Sequence, residues 1–90
     1  MAGMEFAWDQ AIDAANLAKH GVSLAEAARL DWKKGRDIRD DRVDYGETRI
    51  VRYALIEDHL HVCVYTLRNE VRRIISLRKA NERERVAHGT

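Results

Sequence analysis

Three consecutive stretches of alternating side chains, over residues 48–56, 60–67 and 71–78, constrain this chain more than any other feature. A period of two sends successive side chains to opposite faces of a strand, so each stretch reads as a strand with one buried face. In the second, Leu60, Val62 and Val64 face one way and His61, Cys63 and Tyr65 the other. In the third, strict alternation groups Arg73 with Val71, Ile75 and Leu77, and puts Arg72, Ser76 and Arg78 opposite them beside Ile74. Only Glu57-Asp58-His59 and Arg68-Asn69-Glu70 separate the stretches. Connections that short join antiparallel neighbours, because a parallel pair needs a crossover of about a dozen residues. Asn69 also tolerates the left-handed conformation of a tight turn. The three stretches therefore form an antiparallel meander.

The segment before the meander has a different period. Phe6-Ala7-Trp8 is a short aromatic stretch of strand character, and Asp9 is placed to cap a helix over about 10–20. Ala11, Ile12, Ala15 and Ala18 recur at helical spacing as a narrow apolar face, and Gly21 falls where a left-handed residue ends the helix. Ser23 and Glu26 have the spacing of a capping box, with Val22 set to pack on Ala27, and predict a second helix over about 24–32. Its apolar positions are Leu24, Ala27, Ala28 and Leu30. Residues 33–47 mix charges of both signs and read as an exposed loop, long enough to imply either a short strand near Ile38 or a binding role. Asn81 and Glu84 repeat the cap signal and open a terminal helix that runs to about His88. The order predicts one α+β domain over 1–90, a two-layer sandwich of an antiparallel sheet with two N-terminal helices and a short C-terminal helix.

A chain of 90 residues has room for one core, and an apolar share of 46% is enough to build it. No apolar run approaches the roughly 18 residues of a membrane span, and the opening residues lack the pattern of a secretory signal, so the expected location is the cytoplasm with no membrane partner. A single cysteine, Cys63, excludes an internal disulfide and a multi-cysteine zinc site. His59 and His61 form an H-x-H pair for which spacing supplies no third ligand, and neither a metal nor a cofactor is expected. Net charge is +1, but its distribution is uneven: residues 66–90 hold seven of the 16 Lys and Arg and only three of the 15 Asp and Glu. Six of those seven cations are arginine, whose planar fork suits phosphate.

Particular blocks resemble a known family. Phe6-Ala7-Trp8-Asp9, Asn16 and Lys19-His20-Gly21-Val22 are similar to the F-x-W-D, N-x-x-K-H-G-V opening of BrnT toxins. Glu47-Thr48-Arg49, Tyr65-Thr66-Leu67-Arg68 and Arg73-Ile74-Ile75-Ser76-Leu77-Arg78-Lys79-Ala80 with Glu84 resemble the family's E-x-R, Y-T-x-R and R-I-I-S-A-R-x-A…E. The resemblance runs from Phe6 to about His88, with Ile12 where the family usually has lysine, Leu77 where it has alanine and His88 where it often has tyrosine. It implies a RelE-like fold and a bacterial type II toxin that cleaves RNA and inhibits growth. It also implies a BrnA-like antitoxin whose ribbon-helix-helix module binds DNA, so that DNA is met only through that partner, in a two-to-two assembly.

Cleaving RNA without a metal requires activation of the ribose 2′-hydroxyl, stabilisation of a dianionic phosphorane and protonation of the departing 5′-oxygen. Arg49, Arg68 and Arg78 are candidates for the second task, with Arg78 and Arg49 expected to share the scissile phosphate. His20 is the candidate proton carrier, or else a cap on the last carbonyls of its helix. Glu47 is either a proton acceptor or half of an ion pair. Trp8 and Tyr65 are candidates for base stacking, with a core role as the alternative for Trp8. Lys19, Arg73, Lys79 and Arg83 are candidate RNA contacts. Trp32, beside Lys33 and Lys34, is expected to be an exposed ring that meets a partner. A catalytically idle antitoxin-binding module or transcriptional co-repressor is the competing function.

Overall fold

The computed structural model describes residues 4–41 and 46–89. In chain order these form β1 (Glu5–Ala7), α1 (Gln10–His20), a 3-10 helix (Leu24–Arg29), β2 (Arg36–Asp40), β3 (Arg49–Ile56), β4 (His59–Arg68), β5 (Val71–Lys79) and α2 (Glu82–His88). The strands make one sheet in the order β1-β5-β4-β3-β2, with β1 parallel to β5 and every other pair antiparallel. The meander is as expected. Its second turn comprises Asn69 and Glu70, whose φ values of 51° and 68° match the paired left-handed residues that suit the twist of a two-residue hairpin.

The charged stretch after residue 32 contains the strand alternative near Ile38: β2 pairs along β3, with Ile38 opposite Val51. Chain entry into β2 passes so close to β3 that a Cβ on Gly35 would lie 2.9 Å from the Tyr53 carbonyl oxygen. Residues 42–45 of the expected loop lie outside the described residues.

The helical layer departs from expectation twice. Instead of a second α-helix, a single 3-10 segment spans Leu24–Arg29. The expected capping box does not form: the Ser23 hydroxyl accepts from the Ala25 N–H and donates to Asp13, the Leu24 N–H donates to Asp13 Oδ1 at 2.7 Å, and the Glu26 carboxylate turns to Arg29. An acceptor from α1 has replaced the local one. The second departure is the orientation of α1. Its alanine face lies outward, with Ile12 43% exposed, and the buried side is polar, centred on Asn16. The Asn16 Nδ2 donates to the carbonyls of Val22 and Leu77, both at 2.8 Å, while its Oδ1 accepts the Leu77 N–H at 3.2 Å. Three backbone groups thus determine how the helix sits.

Leu24, Ala27, Leu30, Ala54, Ile56, Cys63, Tyr65, Ile74 and Leu77 form the core between the sheet and the helical segments. Full burial of a leucine or isoleucine contributes about 1.5–3 kcal/mol. Ile74 and Leu77 are 1% and 0% exposed, although three positions apart on one strand. A β-bulge reconciles them: Tyr65 pairs with Ile74 but Val64 pairs with Ser76, leaving Ile75 as the extra residue. Strict alternation is therefore wrong for β5. Arg73 shares a face with Ser76 and Arg78, and Arg72 shares the other with Ile74 and Leu77.

Replacing Asn16 with alanine strands buried backbone groups of Leu77 and Val22, at about 1–3 kcal/mol per group. The expected result is a fall of about 3 kcal/mol in unfolding free energy, read from urea unfolding as a lower midpoint with an unchanged slope.

Candidate active site

The face of the sheet away from α1 carries Arg49, Val51 and Tyr53 from β3, Val62, Val64, Thr66 and Arg68 from β4, and Arg73, Ser76 and Arg78 from β5. The bulge is what brings Arg73 and Arg78 to the same side. Beside Arg78 runs a groove of about 440 Å³ with Val51, Val62 and Val64 as its apolar floor, bounded by Tyr53, Ser76, Arg78 and Glu84 and, from β2, by Ile38, Arg39, Asp40 and the adjoining Asp41. The register lays Tyr53, Val62 and Arg78 in one row across three strands.

At that row α2 meets the sheet. Arg78 Nη1 and Nη2 donate to the two carboxylate oxygens of Glu84, each at 2.7 Å, the fork-to-fork geometry of a strong charge-assisted pair. Glu84 also accepts the Asn81 N–H while Asn81 accepts the Glu84 N–H, so the expected capping box is present. The Arg78 fork is the main reason the Glu84 carboxyl is held down at about 2, well below its ordinary 4.5. Near the end of α2 the His88 ring stacks on Tyr53, with centroids 3.8 Å apart and planes inclined by 17°.

The other end of the face holds Arg49, Arg68 and Arg73. Arg68 pairs with Glu47 at 2.6 Å, which makes Glu47 the ion-pair alternative, though with Arg68 rather than Arg49. Arg49 lies four residues along β3 from Tyr53 and two strands from Arg78. At about 3.3 Å per residue and 4.8 Å per strand, their backbones are about 16 Å apart. The register therefore sets their backbones well apart, and Arg78 borders the groove while Arg49 does not line it.

The remaining candidates scatter. His20 closes α1 half-buried, and partial burial, followed by the charges of Lys19 and Arg78, lowers its pKa and favours the neutral imidazole. Lys19 is exposed on the same helix end, and Arg83 is exposed on α2. Lys79 is opposite His61 on the helix-covered face, beside a second cavity lined by Gly21, Ser23 and His59, and so does not extend Arg78. Tyr65 is 4% exposed, so its ring is not free to stack on a base, while Trp8 is half-buried and packs against the main core. Trp32 corrects another expectation. Its Nε1–H donates to the Ala27 carbonyl at 2.9 Å, and its faces meet the Arg52 and Arg72 guanidiniums 4.7 and 4.8 Å from the ring centroid.

Among the described residues no group of three His, Cys, Asp or Glu is placed to hold a metal. His61 is buried, its Nδ1 bonded to the His59 carbonyl, and burial lowers its pKa. Burial pushes the Cys63 thiol up to about 12, which marks it as a core side chain and not a nucleophile. The sequence reading missed Tyr53 and Ser76, and saw Glu84 as a helix cap and not as the partner of Arg78. Alternation from Arg49 along β3 was the available signal for Tyr53.

A depressed carboxyl pKa means that the Arg78–Glu84 pair contributes stability fully above about pH 4.5 and loses it as pH falls toward 2. A carbon-detected NMR titration of Glu84 should give a midpoint near 2, moving back toward 4.5 in Arg78→Ala.

Comparison with known proteins gives a family model described as the ribonuclease toxin BrnT of type II toxin-antitoxin systems, matching residues 8–84. Among solved structures, the crystal structure of the Brucella abortus ribonuclease toxin BrnT superposes with a TM-score of 0.70 at 18% identity, covering 89% of this chain and 100% of that one. No curated protein sequence matches. At that identity the superposition speaks for the fold, while the family model spans most of the chain, including α1, the meander and Glu84. The chain belongs to the BrnT family of ribonuclease toxins of type II toxin-antitoxin systems.

Proposed function

We propose that this chain is a metal-independent endoribonuclease that lays RNA along the open face of its sheet. The observation that carries the reading is the gathering of Arg49, Arg68, Arg73 and Arg78 on that one face, which Arg78 joins through a bulge in β5. Guanidinium groups beside an apolar floor bind phosphates and neutralise the charge that develops on a phosphorane. Arg78 is the member that faces the scissile phosphate, since it borders the groove, lies where β5 runs on past its pairing with β1, and from that edge its charge also reaches His20 at the end of α1.

His20 takes the proton of the ribose 2′-hydroxyl. The freed oxygen attacks the adjacent phosphorus, the bond to the 5′-oxygen breaks, and that oxygen leaves with a proton delivered by water or a protonated side chain. The products are a 2′,3′-cyclic phosphate and a 5′-hydroxyl. A lowered pKa suits the first step, because a neutral imidazole is the form that accepts a proton. Arg49, Arg68 and Arg73 hold the strand at the far end, and Lys19 and Arg83 extend the cationic field from two helix surfaces.

The family assignment supports an antitoxin partner that neutralises the toxin; in our reading that partner is BrnA-like, meets the toxin in the cytoplasm in a two-to-two complex, and binds DNA through a ribbon-helix-helix module. No helix among the described residues is long and apolar enough to cross a membrane.

Purified protein should cut free RNA in excess EDTA and leave 2′,3′-cyclic ends. Arg78→Ala is expected to slow cleavage by about 100-fold. His20→Ala is expected to lose a similar factor together with the acidic limb of the pH–rate profile, which lies below the ordinary histidine value of about 6.5. Intact RNA with the parent protein would sink the free-RNA reaction and favour the idle antitoxin-binding module or co-repressor.

A further inference from the structure

We propose that α2 occupies a nucleotide subsite of the open face, with the Glu84 carboxylate standing where an RNA phosphate binds Arg78 and the His88 ring where a nucleobase stacks on Tyr53. The inference rests on the reading above that Arg78 meets phosphate, and adds a base platform and a built-in competitor to it.

Two contacts of different chemistry carry it, and both fall on the same cross-strand row. Arg78 and Tyr53 flank Val62, one strand to either side. A carboxylate and a phosphate present the same paired oxygens to a guanidinium, and Glu84 fills both terminal nitrogens of Arg78. An imidazole lying 3.8 Å from a tyrosine ring at 17° reproduces the way a base lies on an aromatic platform. The valine floor of the groove continues beside both.

The way α2 is held supports displacement. It is seven residues long with none buried, and its Val86 is 81% exposed. A helix so short has little stability of its own. Its cap is local, and its ties to the sheet include the fork on Arg78 and the stack on Tyr53. The stack is imperfectly satisfied, because His88 Nδ1 is buried with no hydrogen-bond partner. A nucleotide offers the same two groups a phosphate and a ring, so helix and substrate exclude one another.

The test is the affinity of the full-length chain for a 2′-O-methyl dinucleotide, which lacks the attacking hydroxyl and stays intact during titration calorimetry. His88→Ala leaves the Arg78–Glu84 fork in place. Freed of its competitor, it should bind at least about fivefold more tightly than the parent. Glu84→Gln should also bind more tightly, whether or not α2 stays folded, since either route opens Arg78. Adding Tyr53→Leu to His88→Ala should abolish the gain. Unchanged or weaker binding by His88→Ala, with a parent-like circular dichroism spectrum, overturns the proposal, as does a gain that survives loss of Tyr53. Because the dinucleotide cannot be cut, the two readings fail separately. A parent that leaves RNA intact while His88→Ala gains affinity removes the reaction and keeps the subsite. A cleaving parent without that gain removes the subsite alone.

Discussion

One unpaired residue, Ile75, determines what each side of β5 presents. With the bulge, Ile74 and Leu77 both enter the core, and Arg73 and Arg78 both reach the open face. Without it the period of two would turn one member of each pair around, burying an arginine or exposing an apolar side chain. Either cost exceeds that of one interrupted ladder position, because a buried unpaired guanidinium is far more expensive than a missing sheet hydrogen bond. The local disruption is the lower-energy way to satisfy this sequence. It also places Arg78 at the edge of an apolar floor.

The covered side depends on polar bonds as much as on burial. Asn16 bonds to both backbone groups of Leu77 just beyond the bulge, and Asp13 takes the first amide of the 3-10 helix. α1 thereby lies on β5 by directional contacts that a smooth apolar face would lack. On the same side, Arg52 is 6% exposed, pairs with Asp37 at 2.9 Å and lies over Trp32, which Arg72 meets as well. Those two guanidiniums are committed to structure.

The open side treats its arginines differently. Arg68 and Arg78 have carboxylate partners drawn from outside their own strand, Glu47 before β3 and Glu84 on α2. Such pairs keep like charges tolerable on one surface. An exposed pair such as Arg68–Glu47 contributes about 0–1 kcal/mol to stability. The Arg78–Glu84 fork is tighter, and its carboxylate belongs to an element with no buried residue. The fork is thus a firmly held anion on a weakly held helix.

Several features were legible in the residues themselves. Asp9 and Gly21 bound α1, Asn81 and Glu84 cap α2, and alternation with two short turns produces the meander, because each depends on neighbours within a few positions. The blocks around Lys19-His20-Gly21 and Arg73–Lys79 likewise carried the family resemblance, which the family model supports over residues 8–84. Other features depended on contacts between distant segments. The outward alanine face of α1, the 3-10 conformation after Ser23, the packing of Trp32 between two guanidiniums and the sidedness of Arg73 and Arg78 each follow from a partner remote in sequence: Leu77, Asp13, Arg52 with Arg72, and the register against β4. Local spacing determined which elements form. Only the tertiary structure decided which face each one turns inward, because that choice minimises unpaired polar groups across the whole chain at once.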